Sequence, residues 1–442
     1  MFETLKNAFK VKEIRVKIWW TLLFILLYRL GCYIPVPGIG SQLIGSEDLG
    51  SISYLSIMSM MTGGALASGT WFAMGISPYI NASIIIQLLT VAIPALETMS
   101  KSGEDGRRKI NNITRIVAIT LSVVQAIGIL LNYGTNLVSS SDSTSLKDLL
   151  FGQAWLAYIV AVIFYASGTA VTMWIGERIT DYGVCNGVSM LIFVGIISSA
   201  GLYAVSAITT IATATESNTA LVAFWKLIGY IIAIVIIFGC IVFVELSERK
   251  IPVQYAKQVK GRKMYGGQST EIPIKVNANG VMPLIFAFSI ISFPEMIMTM
   301  FLDKSSAFLV WWQTYLGSGS WAYMVILCLL ILGFSYFYTT IQFNPDEISR
   351  SIQQNGGFIP GYRPGKPTTD HLKRVSNRIT LFGAIYLAIM ALIPSIVFRL
   401  IDPGSANAFT ATGMLVAVSV ALEFNTALES QIMMKNYKGF LK

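Results

Sequence analysis

Charge is scarce in this chain. Only 12% of its 442 residues are Asp, Glu, Lys or Arg, while 54% are hydrophobic. A soluble protein carries roughly a quarter charged residues, so a soluble fold of this length would lack the polar surface it needs. That excludes a soluble enzyme and an acidic disordered chain. Histidine is nearly missing: His371, in a basic loop, is the single one. The four cysteines (Cys32, Cys185, Cys240, Cys328) lie in or at the edges of apolar blocks and form no CxxC pair, the pattern of small packing residues. Metal and redox chemistry, and a secreted disulfide scaffold, have no ligand set to rest on. Catalytic signatures are missing as well. No Ser–His–Asp set, HExxH, phosphate loop or GxGxxG appears, and GVCNG (183–187) lacks the phosphate-loop glycine spacing and its lysine. The sequence predicts no enzyme, no cofactor and no metal.

Apolar residues, by contrast, arrive in long blocks. About 20 apolar residues are enough to cross a bilayer as helix. Such blocks fall near 17–34, 71–95, 114–132, 154–175, 188–206, 222–245, 281–301, 321–341, 378–398 and 409–429. The first is preceded by Lys6, Lys10, Lys12, Arg15 and Lys17, yet no small-x-small cleavage site follows, so it reads as a retained span. Formal charge is +9. Lys147, Lys304 and Arg399 fall on one side of the expected membrane, Arg29 and Lys226 lie in or at the edge of spans, and every other Lys and Arg falls on the side of the two termini. The positive-inside rule makes both termini cytoplasmic. Ten spans divide into halves 17–206 and 222–430, between a cytoplasmic N-terminal segment 1–16 and a tail 431–442. An odd number per half permits an inverted repeat around a central site.

Two features do not behave like spans. Residues 54–70, YLSIMSMMTGGALASGT, are apolar but too short to cross, and three glycines would loosen a helix. The segment is either an interfacial loop or a re-entrant piece filling a protein cavity from outside. The cytoplasmic loops 246–280 and 342–377 are long. In the first, two alternating stretches flank GRKMYGG, which reads as a hairpin with Lys257, Lys260, Arg262 and Lys263 at its tip. In the second, GGFIPGYRPGKPT uses Gly and Pro turns to present Arg363 and Lys366. A basic projection suits phosphate-rich RNA or an acidic protein face.

Ion-coupled pumps need ionisable groups at midplane. Arg29 lies well inside span one, where it either snorkels to headgroups or bonds backbone carbonyls. Glu245, Glu423 and Glu429 lie toward cytoplasmic ends, and Glu295, after Pro294, is the best coupling carboxylate for a rival reading as a secondary transporter. A membrane enzyme is a weaker third reading. The span faces otherwise offer aliphatic residues. Ile76 and Ile80, like Val188 and Ile192, are four apart and share a helix face; Ile285 follows Pro283, and Val416 lies in span ten. Such residues are ordinary packing or a hydrophobic constriction that gates by excluding water.

Several stretches together resemble the SecY family of bacterial protein-conducting channel subunits. They include YRLGCYIPVPGI (28–39), MTGGALASGTWFAMGISPYINASIIIQLLT (61–90), GEDGRRKINNITR (103–115) and WIGERITDYGVCNGVSMLIFVGI (174–196). QYAKQVKGRKMYGGQSTEIPIKVNANGVMPLIFA (254–287), FNPDEIS (343–349) and GGFIPGYRPGKPT (356–368) follow in order, so the likeness spans nearly the whole chain. It implies an all-α integral membrane fold: ten transmembrane helices in two inverted five-helix halves around a central pore, with a short plug helix and long cytoplasmic loops. The plug would be 54–70, with Thr62, Gly63, Gly64, Ala65 and Leu66 in it. Ile76, Ile80, Val188, Ile192, Ile285 and Val416 match the pore ring, two of them valine where isoleucine is usual. Gln87, Thr90, Gln125 and Ser289 fall on the helices of a lateral gate through which membrane segments leave. The loops with Lys257, Lys260, Arg262, Lys263, Arg363 and Lys366 match surfaces that dock the SecA motor ATPase or the ribosome. SecE and SecG homologues, in a heterotrimer, and a signal-sequence-bearing polypeptide are the other implied partners, with membrane lipid around them. The implied location is the bacterial cytoplasmic membrane.

Overall fold

The computed structural model describes residues 6, 8–36, 53–133, 154–213, 217–255, 258–260, 263–265, 269–277, 280–301, 306–317, 320–401 and 411–439. Every expected span is helical. They are α1 (Lys12–Gly31), α3 (Ser77–Ala92), α5 (Glu104–Tyr133), α6 (Ala154–Tyr182), α7 (Gly187–Thr213), α8 (Ser217–Glu245), α9 (Met282–Phe301), α11 (Trp321–Gln342), α13 (Lys366–Ile401) and α14 (Ala411–Gly439). Four shorter helices join them: α2 (Ser53–Thr62), α4 (Pro94–Lys101), α10 (Ala307–Leu316) and α12 (Pro345–Gln354). Among the described residues, five helices are long and apolar enough to cross a membrane on length and composition alone, six counting the bent pair α3–α4.

Boundaries differ from the expected spans for local reasons. Residues 71–76 form turns, and α3 begins only at Ser77 with Pro78 in its first turn, where the missing N–H costs nothing. Pro94 forces Ile93 into extended backbone (φ −108°, ψ 113°), and the chain turns by 102° into α4. Helices α5 and α13 start well before residues 114 and 378, because Arg, Lys and Glu continue a helix readily outside the apolar stretch.

The helices pack as two groups. In one, α1 lies on α6, α3 on α5, α5 on α6 and α6 on α7; in the other, α9 lies on α11, α11 on α13, and α8 and α13 on α14. The groups meet along two seams, α7 against α8 and α14, and α5 against α9. Outward faces are apolar: Leu22, Leu23, Leu26 and Leu27 on α1, and Ile231, Ile232, Val235 and Ile236 on α8, are exposed. In water such faces would collapse together; against hydrocarbon they are at home. Helix α10, unforeseen in the sequence, presents exposed Phe308, Trp311 and Tyr315 in a run of ring contacts, as interfacial aromatics do.

The loop at 246–280 is the expected hairpin. Strand β1 (Glu248–Tyr255) pairs antiparallel with β4 (Ser269–Lys275), and β2 (Gln258–Lys260) with β3 (Lys263–Tyr265) beyond them. A short strand β5 (Gly357–Phe358) from the second loop adds to the free edge of β1, so the two loops form one body. Its own small core comprises Ile251, Val253, Ile274, Ile352, Ile359 and Leu372. The Glu245 carboxylate fastens the base, accepting from Asn277 Nδ2 at 2.7 Å and from Ser419 Oγ at 3.0 Å on α14.

Candidate functional site

Four helices bring aliphatic side chains to one place between the two groups. Ile80 (α3), Ile192 (α7), Ile285 (α9) and Val416 (α14) line a common cavity of about 70 Å³. Local chemistry sets each start. The Ile76 carbonyl accepts from the Tyr79 and Ile80 N–H groups to open α3, and the Asn186 side chain accepts from Val188 N–H at 3.0 Å to cap α7. Pro283 rigidifies the first turn of α9. Ile76 and Val188 do not line the cavity. They belong to the same core and flank Gly176 of α6, where an added Cβ would come 3.5 Å from Ile76 Cδ1 and 3.8 Å from Val188 Cγ2.

The remaining wall is mainly apolar: Ile196, Leu284 and Phe288, with Met58, Met60 and Met61 from α2. Polar groups in it are few, with Ser289 joined by Ser77, Asn81 and Ser292. The buried Ser77 and Ser292 hydroxyls have no hydrogen-bond partner among the described residues. Aliphatic and methionine side chains thus make up most of the wall, with a few hydroxyl and amide groups among them. Glu295 is not part of the wall; it is buried on α9 within electrostatic reach of Tyr323 on α11.

The segment 54–70 packs into the protein. Helix α2 lies on α7 and α9, and Gly195 of α7 permits this, since an added Cβ would lie 1.8 Å from the Met61 carbonyl oxygen. Ser199 Oγ donates to the Met60 carbonyl at 2.9 Å. The helix ends in a paired cap: Gly64 N–H donates to Ser59 O at 2.8 Å and Gly63 N–H to Met60 O at 3.1 Å, with Gly63 at φ +68°, a left-handed position that favours glycine. Thr62, Ala65 and Leu66 are buried, Gly63 and Gly64 half-buried. Ala65 belongs to the core around the cavity, and Leu66 to a second core formed with α5 and α6.

The other seam is α3 and α5 against α9 and α11. Tyr338 on α11 donates its hydroxyl to Gln87 Oε1 on α3 at 3.1 Å, a contact for which the sequence named only one partner. Thr90 donates within its own helix, to Gln87 O at 2.6 Å, and Gln125 is buried on α5. On the hairpin body, Arg363 and Lys366 are exposed. Lys260 and Lys263 face each other in the β2–β3 register, while Lys257 and Arg262 lie outside the described residues. His371 stacks on Tyr362 with ring centroids 3.9 Å apart; burial, then Arg374 and Arg249, lower its pKa below the usual imidazole value. The imidazole is therefore neutral near pH 7, and the arginines and lysines carry the loop's charge.

Two groups of apolar helices that meet around a mainly aliphatic cavity, with a short helix packed against it, define a helical membrane protein with its candidate path between two halves. Comparison with known proteins gives the same class and narrows it. The family model described as SecY matches residues 70–425. The protein translocase subunit SecY of Streptomyces galbus is 38% identical over 456 residues, covering 100% of both chains. Among solved structures, a protein-conducting channel aligns with a TM-score of 0.65 at 18% identity, over 94% of this chain and 92% of that one. A SecY protein whose plug domain stabilises the closed state of its translocation channel and maintains a membrane seal aligns with a TM-score of 0.62 at 18% identity, over the same shares. The chain belongs to the SecY family. It is a multi-pass membrane protein and a protein translocation channel subunit.

Proposed function

We propose that unfolded polypeptide passes between Ile80, Ile192, Ile285 and Val416, with Ile76 and Val188 beside them, and that α2 with the turns after it is the plug that fills this path at rest. One observation carries the reading: aliphatic residues from α3, α7, α9 and α14 converge on one mainly apolar cavity that α2 closes from one side. A ring of aliphatic groups grips no particular side chain, which suits a conduit for arbitrary sequence, and it resists ion passage by dewetting. Passage of polypeptide through such a ring needs no covalent chemistry from the wall. Energy comes from outside it, from a SecA-type motor ATPase or from translation on a ribosome docked at the basic hairpin body. The joining of both loops through β5 supports one shared docking surface. Both termini and this body face the cytoplasm in the bacterial cytoplasmic membrane, in keeping with the distribution of Lys and Arg. SecE and SecG homologues cover part of the exposed apolar helix faces.

A crosslinker at residue 80 or 192, read out against a stalled secretory chain with the motor bound and active, tests the path. Adducts are expected at both positions, and only with precursors that carry a signal sequence. Failure at both sinks the assignment.

The seam of α3 and α5 against α9 and α11 serves as the lateral gate, through which apolar segments partition into lipid. The Tyr338–Gln87 hydrogen bond joins side chains across this seam, and it is exposed. Tyr338→Phe should let precursors with defective signal sequences pass about 2- to 10-fold faster, the range set by one neutral hydrogen bond. Unchanged selection, measured as the ratio of defective to intact precursor transported, would remove this bond from the gate.

A further inference from the structure

Arg29 is a charged residue in the last turn of α1, and a charge on a membrane-spanning helix is a candidate functional group. The structure decides between snorkelling and carbonyl bonding. The guanidinium turns inward and Nη2 donates to the Val194 carbonyl of α7 at 2.7 Å. The same group lies against the end of α2: an added Cβ on Gly63 would come 2.6 Å from Nη1 and 2.7 Å from Nη2. Tyr28 backs it, with the guanidinium carbon 5.9 Å from the ring centroid. Three elements therefore meet at one cation: α1 supplies it, α7 accepts its hydrogen bond, and the C-terminal cap of α2 lies against it.

The electrostatics favour this arrangement. The C-terminal end of a helix carries partial negative charge, and a cation against it is stabilising. Val194 and Gly195 are adjacent on α7, so the carbonyl that holds Arg29 is next to the residue that makes room for Met61. Gly63 meets two demands there, a left-handed φ and no side chain where the guanidinium lies. Any outward displacement of α2 removes the helix end from the cation, and any separation of α1 from α7 breaks the bond to Val194.

We propose that Arg29 is a positioning residue for gating: a cationic latch that fastens the C-terminal end of α2 to the α1–α7 corner and so sets how readily the channel opens. This rests on the reading of α2 as the plug. The latch touches no substrate and acts through α2.

The test uses the full channel complex in proteoliposomes, with potassium efflux measured in the absence of precursor. Arg29→Met, which keeps the length and loses the charge, is expected to raise resting efflux about tenfold, the shift in a two-state equilibrium from losing one charge-assisted hydrogen bond. Gly63→Ala, which keeps the charge but crowds the guanidinium and strains the left-handed backbone, should raise efflux too. Deleting residues 60–69 provides the separating control. If the deletion leaks and Arg29→Met, folded to wild-type protease resistance, does not, the latch is wrong and the plug stands. If the deletion itself does not leak, the plug reading fails and the latch with it. Arg29→Lys, which keeps a cation beside the end of α2, should hold resting efflux near wild type, and a leak equal to that of Arg29→Met would overturn the cationic latch.

Discussion

Channels carrying Gly195→Leu will conduct ions at rest. An added Cβ at residue 195 would meet a backbone oxygen, Met61 O, at 1.8 Å, and no side-chain rotation relieves a clash with backbone. Either α7 shifts or α2 leaves its seat. Helix α7 is also held by α1, α6, α8 and α14, whereas among helices α2 makes its main contacts with α7 and α9, so α2 is the piece that moves. Its departure takes Met58, Met60 and Met61 from the cavity wall and breaks the Ser199–Met60 bond. Overpacking of this kind costs about 1–3 kcal/mol, and a larger branched side chain against backbone sits at the upper end. Resting efflux should therefore rise by about one to two orders of magnitude, since 1.4 kcal/mol is tenfold in a two-state equilibrium. Precursor transport should persist, because the aliphatic positions on α3, α9 and α14 are untouched. Gly195→Leu protein that is folded, assembled and tight to ions would show that α2 does not seal the channel.

The second large effect is expected from a charge in the ring. Ile192 is 4% exposed and faces Ile80, Ile285 and Val416 across a cavity of about 70 Å³. An ammonium group buried there without a partner costs several kcal/mol, and water enters to solvate it. Ile192→Lys should therefore abolish dewetting as a barrier, and resting leak should become anion-selective. It should also impose a preference that an aliphatic ring lacks: precursors with clustered Lys and Arg should stall relative to matched precursors with Asp and Glu. Ile192→Met, close in volume and uncharged, should leave both leak and preference near wild type. Equal transport of the two precursor sets through the Ile192→Lys channel would place the path elsewhere.

Much of this was legible in the sequence, and the reasons are local. A block of apolar residues long enough to span hydrocarbon has one good backbone solution, the helix, so the ten long helices fall where the blocks predict, while α2, α4, α10 and α12 do not follow from them. Alternation around GRKMYGG led directly to the β1–β4 pairing, Ile251 opposite Ile272. The bend between α3 and α4 at Pro94 falls inside the block 71–95, which the sequence reading takes as one unbroken span. The candidate pore residues were a different matter. Spacing alone places Ile76 with Ile80 and Val188 with Ile192 on shared faces, which ordinary packing does equally well. Motif order over the whole chain singled them out, and the structure separates Ile80, Ile192, Ile285 and Val416 at the cavity from Ile76 and Val188 beside Gly176. Met58, Met60 and Met61 carried no such signal, because a methionine in an apolar stretch fits any wall.

The sequence by itself determined that this is a helical membrane protein with a basic side and apolar spans, since hydropathy and charge placement are properties of single segments against their solvent. Tertiary structure decided what depends on distant residues meeting. Segment 54–70, open between a surface loop and a buried piece, is seated by Gly195 and Ser199, which lie on another helix. Arg29, free in principle to reach headgroups or carbonyls, is turned inward by Val194 of that same helix. The two cytoplasmic loops became one body because β5 found the edge of β1 across a long stretch of chain. Each is a contact between elements far apart in sequence, and no local pattern encodes which partner a buried carbonyl or an open strand edge will find.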